Sequence, residues 1–313
     1  MRQGARKGLL YRARYRGGEY LLRAFVGSLR WLPGWATPYV AGMAERVSRV
    51  LLWRYRKRMR DTLAQTMAEE LPTEAERRTV VHRAWRNFAQ SFLEAFATLH
   101  MTGEEICSRI EINGEEHLRA ALARNKGVLA LSAHFGNFPM IGPRLAAQGY
   151  DFSVVLKLAQ EERFAALQHE YVTRTGAKVI PARPRRESVP RIIQALRRNG
   201  IVLVLPDEFR TAGVEVDFLG HRAPAPKGPV TIAQRTGAAV VPLFMVRGRD
   251  NRLTLHVKPE IRFVNTGDRE ADLRTNARLF VQAIEDMVRR HPDQWSWMGF
   301  RKPAKGDASH ALP

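Results

Sequence analysis

GVLALSAHFGNFPM, residues 127–140, is the stretch whose reading sets the fold. The apolar run 128–131 reads as a buried strand bounded by turn residues, and it delivers His134 into a Phe-Gly-Asn turn. In open α/β sheets ligands bind beyond the carboxyl ends of the strands, so a histidine at this strand end is placed for chemistry. The competing reading is a structural histidine satisfied within a loop.

Working outward, the chain alternates strand-like and helix-like segments. Strands are expected at 110–112, 152–156, 178–180, 201–205, 214–218, 240–246 and 253–257, and helices at 115–124, 139–148, 161–175, 188–198, 228–236 and 272–290. That rhythm predicts an α/β fold with a mostly parallel central sheet flanked by helices. Upstream, Thr73 with Glu76 three residues on forms a capping-box pattern opening a helix over 73–100. Its apolar side carries Val80, Val81, Trp85, Phe88, Phe92 and Phe96.

A chain of 313 residues with 45% hydrophobic content can bury a sizeable core. The division expected is a basic helical segment over 1–60, an α/β domain over 61–301 and a frayed tail over 302–313. Lys plus Arg number 51 against 31 acidic residues, a formal net charge of +20. Such a field attracts nucleic acid, an anionic membrane surface or an acidic protein. No zinc-finger spacing, aromatic RNP-type strand or helix-turn-helix is present, so no specific nucleic-acid partner is expected. The single cysteine, Cys107, excludes an intramolecular disulfide and a cysteine zinc cluster.

The first sixty residues favour a membrane among those polyanions. Arg2, Arg6, Lys7, Arg12, Arg14 and Arg16 precede a segment, 20–35, in which Leu21, Leu22, Phe25, Val26 and Leu29 have helical spacing. Residues 47–60 repeat the design, with Val50, Leu51, Trp53 and Tyr55 among six cationic side chains and Arg46 just before them. Neither segment holds the roughly 20 apolar residues of a spanning helix, and no signal-peptide cleavage pattern follows. The expectation is a pair of interfacial helices lying on a membrane. The alternative is that they cover the sheet and their arginines are solvated.

A second chemical cluster, VLPDEFRTAGVEVDFLG, occupies residues 204–220. Asp207, Glu208 and Arg210 follow a strand, as His134 does, and alternation puts Glu215 and Asp217 on one face of the next strand. A carboxylate can orient a histidine, and an arginine can hold a phosphate by paired hydrogen bonds. Each of these residues could equally serve a surface ion pair.

Together these blocks resemble the bacterial lipid A biosynthesis acyltransferase family, within the wider glycerolipid acyltransferase superfamily. The resemblance covers nearly the whole chain and rests on Arg86-Asn87-Phe88, SAHFGNF at 132–138, VVLKL at 154–158, PDEFR at 206–210, GVEVDFLG at 213–220, GPVTIAQRTGAAVVPLF at 228–244 and PDQWSWM at 292–298. It implies transfer of an acyl group from a thioester, acyl carrier protein or acyl-CoA, to a hydroxyl of an anionic glycolipid. It also implies peripheral or monotopic residence on the cytoplasmic face of the inner membrane. No cofactor beyond the acyl thioester is implied, and no metal.

In that family the histidine of the HFGN turn is the general base, which is His134 here. The family places a Glu or Asp five residues later; this chain has Pro139. Some relatives that acylate mannosides pair the histidine with an acid on the strand matching VEVDF, which makes Glu215, then Asp217, the expected substitutes. Asp207 matches a family acidic position, Arg210 the arginine of a phosphate-binding block, and Lys157 falls near another basic substrate position. The backbone amides of Gly136 and Asn137 are the expected donors to the oxyanion. Pro139 also motivates a second reading, a catalytically impaired homologue that binds lipid or partner proteins.

Overall fold

The computed structural model describes residues 9–31, 33–209 and 213–297. Among them are nine strands: β1 (Ile110–Asn113), β2 (Val128–Leu131), β3 (Phe152–Leu156), β4 (Lys178–Pro181), β5 (Ile201–Val204), β6 (Val214–Phe218), β7 (His221–Ala225), β8 (Ala239–Arg247) and β9 (Leu253–Val257). Seven form one sheet in the order β1-β9-β8-β2-β5-β3-β4, parallel except where β9 runs against β8. The central strands β2, β5 and β8 are buried along their whole length. Helices on both faces leave no polar side, which is why these strands read as continuous apolar runs rather than alternating ones.

Those helices are α1 (Leu9–Ser28), α2 (Thr37–Leu51), α3 (Trp53–Thr66), α4 (Glu74–Ala97), α5 (Gly103–Arg109), α6 (Glu115–Leu122), α7 (Ile141–Ala147), α8 (Glu162–Arg174), α9 (Arg185–Arg197), α10 (Lys227–Thr236) and α11 (Arg269–Arg290). Successive strand side chains point to opposite faces. Leu129 and Leu131 therefore join a core built with α3, α4, α9, α10 and α11, whereas Val128 and Ala130 join one built with α5, α6 and α7.

The expected capping box opens α4: the Thr73 side chain accepts the Glu76 N–H, and the Glu76 carboxylate accepts the Thr73 N–H at 2.9 Å. At 24 residues α4 is about 36 Å long. It packs against α2 and α3 on one side and reaches the turn after β2 on the other.

Three expectations need correction. The segment 20–35 is not one helix: α1 ends at Ser28, a 3-10 turn covers Leu29–Trp31, and Pro33 cannot continue an α-helix. The segment 47–60 is divided at Leu52, whose φ of −118° breaks α2 from α3. The strand 214–218 does not enter the sheet, because it pairs antiparallel with β7 through Leu219 and Gly220, both at positive φ. The short helix α5, opened by a capping box of Thr102 and Glu105, adds to the expected elements. Residues 1–8, 32, 210–212 and 298–313 lie outside the described residues.

Candidate active site

Parallel register brings the first pair together. In the ladder Leu131 pairs with Val204, and three residues beyond each strand stand His134 and Asp207. Neighbouring strands thus deliver both side chains at the same level above the sheet. The His134 ring donates through Nδ1–H to Asp207 Oδ1 at 2.8 Å, and the His134 backbone N–H reaches Oδ2 at 2.8 Å. A carboxylate can only accept, so Nδ1 carries the proton and Nε2 keeps its lone pair.

A third donor comes from far along the chain. Trp295 Nε1–H meets Asp207 Oδ2 at 2.9 Å. Burial alone would raise the carboxyl pKa of Asp207, which is 2% exposed, but the His134 charge and these three N–H groups outweigh it and hold the group below its ordinary value. For His134 burial pulls the other way from its partner. Desolvation disfavours the imidazolium, yet the charge and hydrogen bond of Asp207 prevail and raise the pKa above the usual histidine value.

The turn itself is locked from both sides. Phe135 and Trp295 form an antiparallel bridge, Ser296 N–H donates to the His134 carbonyl at 2.9 Å, and Gly136 N–H donates to the Gln294 carbonyl at 2.6 Å. Asn137 N–H donates to the Met245 carbonyl at 3.1 Å. Gly136 sits at a φ of +54°, and a Cβ there would stand 1.8 Å from the Met245 oxygen, so only glycine fits. Below the turn, the Asn137 amide donates to Glu94 at 2.7 Å, and Glu94 is paired with the buried Arg247.

These bonds overturn one expectation. The amides of Gly136 and Asn137 are spent on carbonyl oxygens, so neither is free to meet an oxyanion. Trp85 lines the same cleft, and its indole Nε1–H is buried without an acceptor among the described residues. Trp85, Phe88 and Phe92, at i, i+3 and i+7 on α4, form an aromatic wall opposite His134 and Phe138. The cleft between them is narrow, about 20 Å³.

The other sequence candidates do not converge here. Val214, Val216 and Phe218 take the buried side of β6, so strict alternation turns Glu215 and Asp217 to solvent. Glu215 is paired instead with exposed Arg222 at 3.6 Å. Lys157 is exposed past the end of β3, a strand separated from β2 by β5, and is not among the cleft's lining residues. Arg210 falls outside the described residues. Cys107 is half-buried on α5. Among the described residues no group of three His, Cys, Asp or Glu side chains is arranged to hold a metal.

Trp295 and Trp85 are what residue-by-residue reading missed. The block PDQWSWM was visible as a motif, but nothing in a tryptophan's sequence position says that its N–H meets a carboxylate 88 residues away.

The sequence profile of the bacterial lipid A biosynthesis acyltransferases matches residues 8–301, and the chain belongs to that family. It is 29% identical over 216 residues, 67% of this chain and 66% of the relative, to a phosphatidylinositol mannoside acyltransferase of Mycobacterium tuberculosis (strain CDC 1551 / Oshkosh). It is 26% identical over 241 residues, 72% of this chain and 69% of the relative, to a lipid A biosynthesis myristoyltransferase of Escherichia coli K12. A lipid A biosynthesis acyltransferase 2 of Shigella flexneri is 24% identical over 89% of this chain and 87% of its own length. The chain spans 66%, 57% and 55% of the lengths of three mannoside acyltransferases that it matches.

Proposed function

We propose that the protein is an O-acyltransferase that moves a fatty acyl group from a thioester, acyl carrier protein or acyl-CoA, to a hydroxyl of an anionic glycolipid such as a lipid A precursor or a mannoside. The observation that carries this is the imidazole with a free Nε2, oriented by a buried carboxylate, facing an apolar cleft. His134 Nε2 takes the acceptor's hydroxyl proton as the oxygen attacks the thioester carbonyl; the carbon–sulfur bond then breaks, and the imidazolium returns the proton to the departing thiolate. Asp207 fixes the tautomer and stabilises the imidazolium while remaining ionised. Trp85 Nε1–H supplies a hydrogen bond to a substrate oxygen in the cleft.

Membrane association is the second half of the proposal. Exposed Tyr39, Met43, Val47 and Val50 follow one another at i, i+4, i+8 and i+11 on α2, and Trp31, Trp35, Leu51 and Trp53 extend the patch. Solvent does not favour so continuous an apolar stripe, whereas the headgroup boundary of a bilayer does. No helix among the described residues is long and apolar enough to cross a membrane. The mode proposed is peripheral or monotopic, on the cytoplasmic face of the inner membrane.

The reading of an impaired homologue loses its motive, because Asp207 supplies the carboxylate that Pro139 does not. The test is acyl transfer from acyl carrier protein and acyl-CoA donors to glycolipid acceptors in detergent. His134→Ala should lose roughly 10²–10⁴-fold in rate with fold and melting temperature preserved. Equal transfer by both chains would sink the mechanism.

A further inference from the structure

A second cleft, of about 560 Å³, opens where α2, α3 and the N-terminal half of α4 meet. That size lies within the roughly 300–1,000 Å³ of small-ligand sites. Its character differs from the first: Arg49, Arg56, Lys57, Arg60, Arg78 and His82 line it, and none of the described lining residues is acidic. The sequence assigns Arg49, Arg56, Lys57 and Arg60 to an interfacial helix without grouping them into a site. In three dimensions helical spacing collects them, Arg56 and Arg60 one turn apart on α3 and Arg78 and His82 one turn apart on α4.

One buried carboxylate anchors part of the cluster, and surface pairs hold the rest. Glu45, 1% exposed, accepts from Arg56 at 2.9 Å and Arg49 at 3.1 Å and contacts His82 Nδ1 at 2.5 Å. Arg60 and Arg78 share Glu74, and Lys57 meets Asp61 on the outer surface. Five permanent cations thus share three carboxylates. The wall keeps an excess of positive charge and several N–H donors, with Arg56 set on the buried Glu45, the complement of a phosphate.

What surrounds the mouth selects among phosphate bearers. Trp53 lines the cleft and is more than half exposed, continuous with Val47, Val50 and Leu51 of the apolar stripe. RNA or an acidic protein would cover the cations and leave that stripe in water. A lipid satisfies both, with its phosphate in the cleft and the stripe in the headgroup boundary.

We propose that this cleft is a binding site for the phosphate of an anionic lipid headgroup, separate from the cleft of His134 and set one stretch of α4 away from it. The proposal rests on the membrane reading above, not on the acyl-transfer chemistry.

The experiment is co-sedimentation of the full chain with phosphatidylcholine vesicles, with and without a minor fraction of phosphatidylglycerol, at about 0.15 M salt. Three chains are compared with wild type: Lys57→Gln/Arg60→Gln/Arg78→Gln; a control that removes equal charge from exposed positions on and just past α9, Arg191→Gln/Arg197→Gln/Arg198→Gln; and Val47→Ser/Val50→Ser. The cleft variant is expected to lose roughly 10–100-fold of the preference for anionic vesicles, the α9 control no more than about 3-fold, with melting temperatures unchanged in both. Equal loss in the two charge variants would reduce the cleft to net charge and overturn the site. Loss only in Val47→Ser/Val50→Ser would keep the membrane reading and overturn this one; no vesicle binding by wild type would overturn both. Millimolar inorganic phosphate is expected not to displace the vesicles. If it did, with a cleft-dependent rise in Tm, a soluble phosphate would be the occupant and the lipid assignment would fall. Cleft-dependent displacement by a short RNA would overturn it in the same way.

Discussion

Along α4 the chain presents two clefts of opposite character. Residues 84–92 face the His134 cleft, which is aromatic, narrow and centred on one oriented proton acceptor; residues 78–82 face the basic cleft, which is roomy and crowded with donors. Both contain a histidine beside a buried carboxylate, yet the pairs differ. Asp207 takes three N–H donors from two parts of the chain and leaves His134 Nε2 facing the cleft, whereas Glu45 is surrounded by two arginines as well as His82. A carboxylate that serves a single imidazole tunes a base. One shared among cations pins a charged wall.

The largest effect that could break this contrast after the loss of His134 itself is Asp207→Asn. With the negative charge gone the imidazole loses both its orientation and the attraction that raises its pKa, so kcat should fall roughly 10²–10⁴-fold. The acidic limb of the pH–rate profile should also move to lower pH. Only neutral imidazole is a base, and its pKa sits above the usual ~6.5 because of Asp207. A limb that stayed in place, or moved up, would show that another group sets it.

Stability has two windows. The lowered pKa of Asp207 contributes stability above an unfolded value near ~3.9, lost as pH falls through the folded value. The raised pKa of His134 contributes below ~6.5 and is lost as pH rises through its own folded value. Thermal melts of the wild type and Asp207→Asn across pH should converge at the acid end.

Trp295→Phe comes next. It keeps an aromatic ring against Phe218 and Trp297 but removes the N–H to Asp207 Oδ2, which should cost about 1.5–3 kcal/mol by denaturant melting. Trp85→Phe should leave stability unchanged or slightly improved, because its N–H has no partner among the described residues, while kcat/KM falls roughly 5–100-fold. A stability loss without a kinetic one would make Trp85 a packing residue. The smallest effect is expected from Glu215→Gln/Asp217→Asn: on the outward face of the hairpin, the pair should change stability by less than about 0.5 kcal/mol and transfer rates hardly at all.

Much of the fold was legible because its signals are local. The apolar run Val128–Leu131, the Thr73 and Glu76 cap and the alternation in VEVDF each depend on neighbours within a turn or a pleat, and each forms over the expected residues. Alternation also illustrates the limit of such signals. It said correctly that Glu215 and Asp217 share a face, but not which face, since that depends on whether the strand joins the sheet or folds back on β7.

His134 was likewise readable as a residue set beyond a strand, since a buried strand followed by a glycine turn exposes whatever comes between them. Its acid was not. The family resemblance pointed to Glu215, then Asp217, as the substitute; the register of β2 against β5, a long-range hydrogen-bond ladder, brings Asp207 to the ring instead. The same holds for the spent amides of Gly136 and Asn137 and for the basic cleft, whose side chains come from three helices. The sequence by itself determined which segments bury apolar surface and which residue types can do proton chemistry or carry charge. Tertiary structure decided which of them meet, because hydrogen bonds and charge pairs act over a few ångströms while the partners are separated by tens to hundreds of residues.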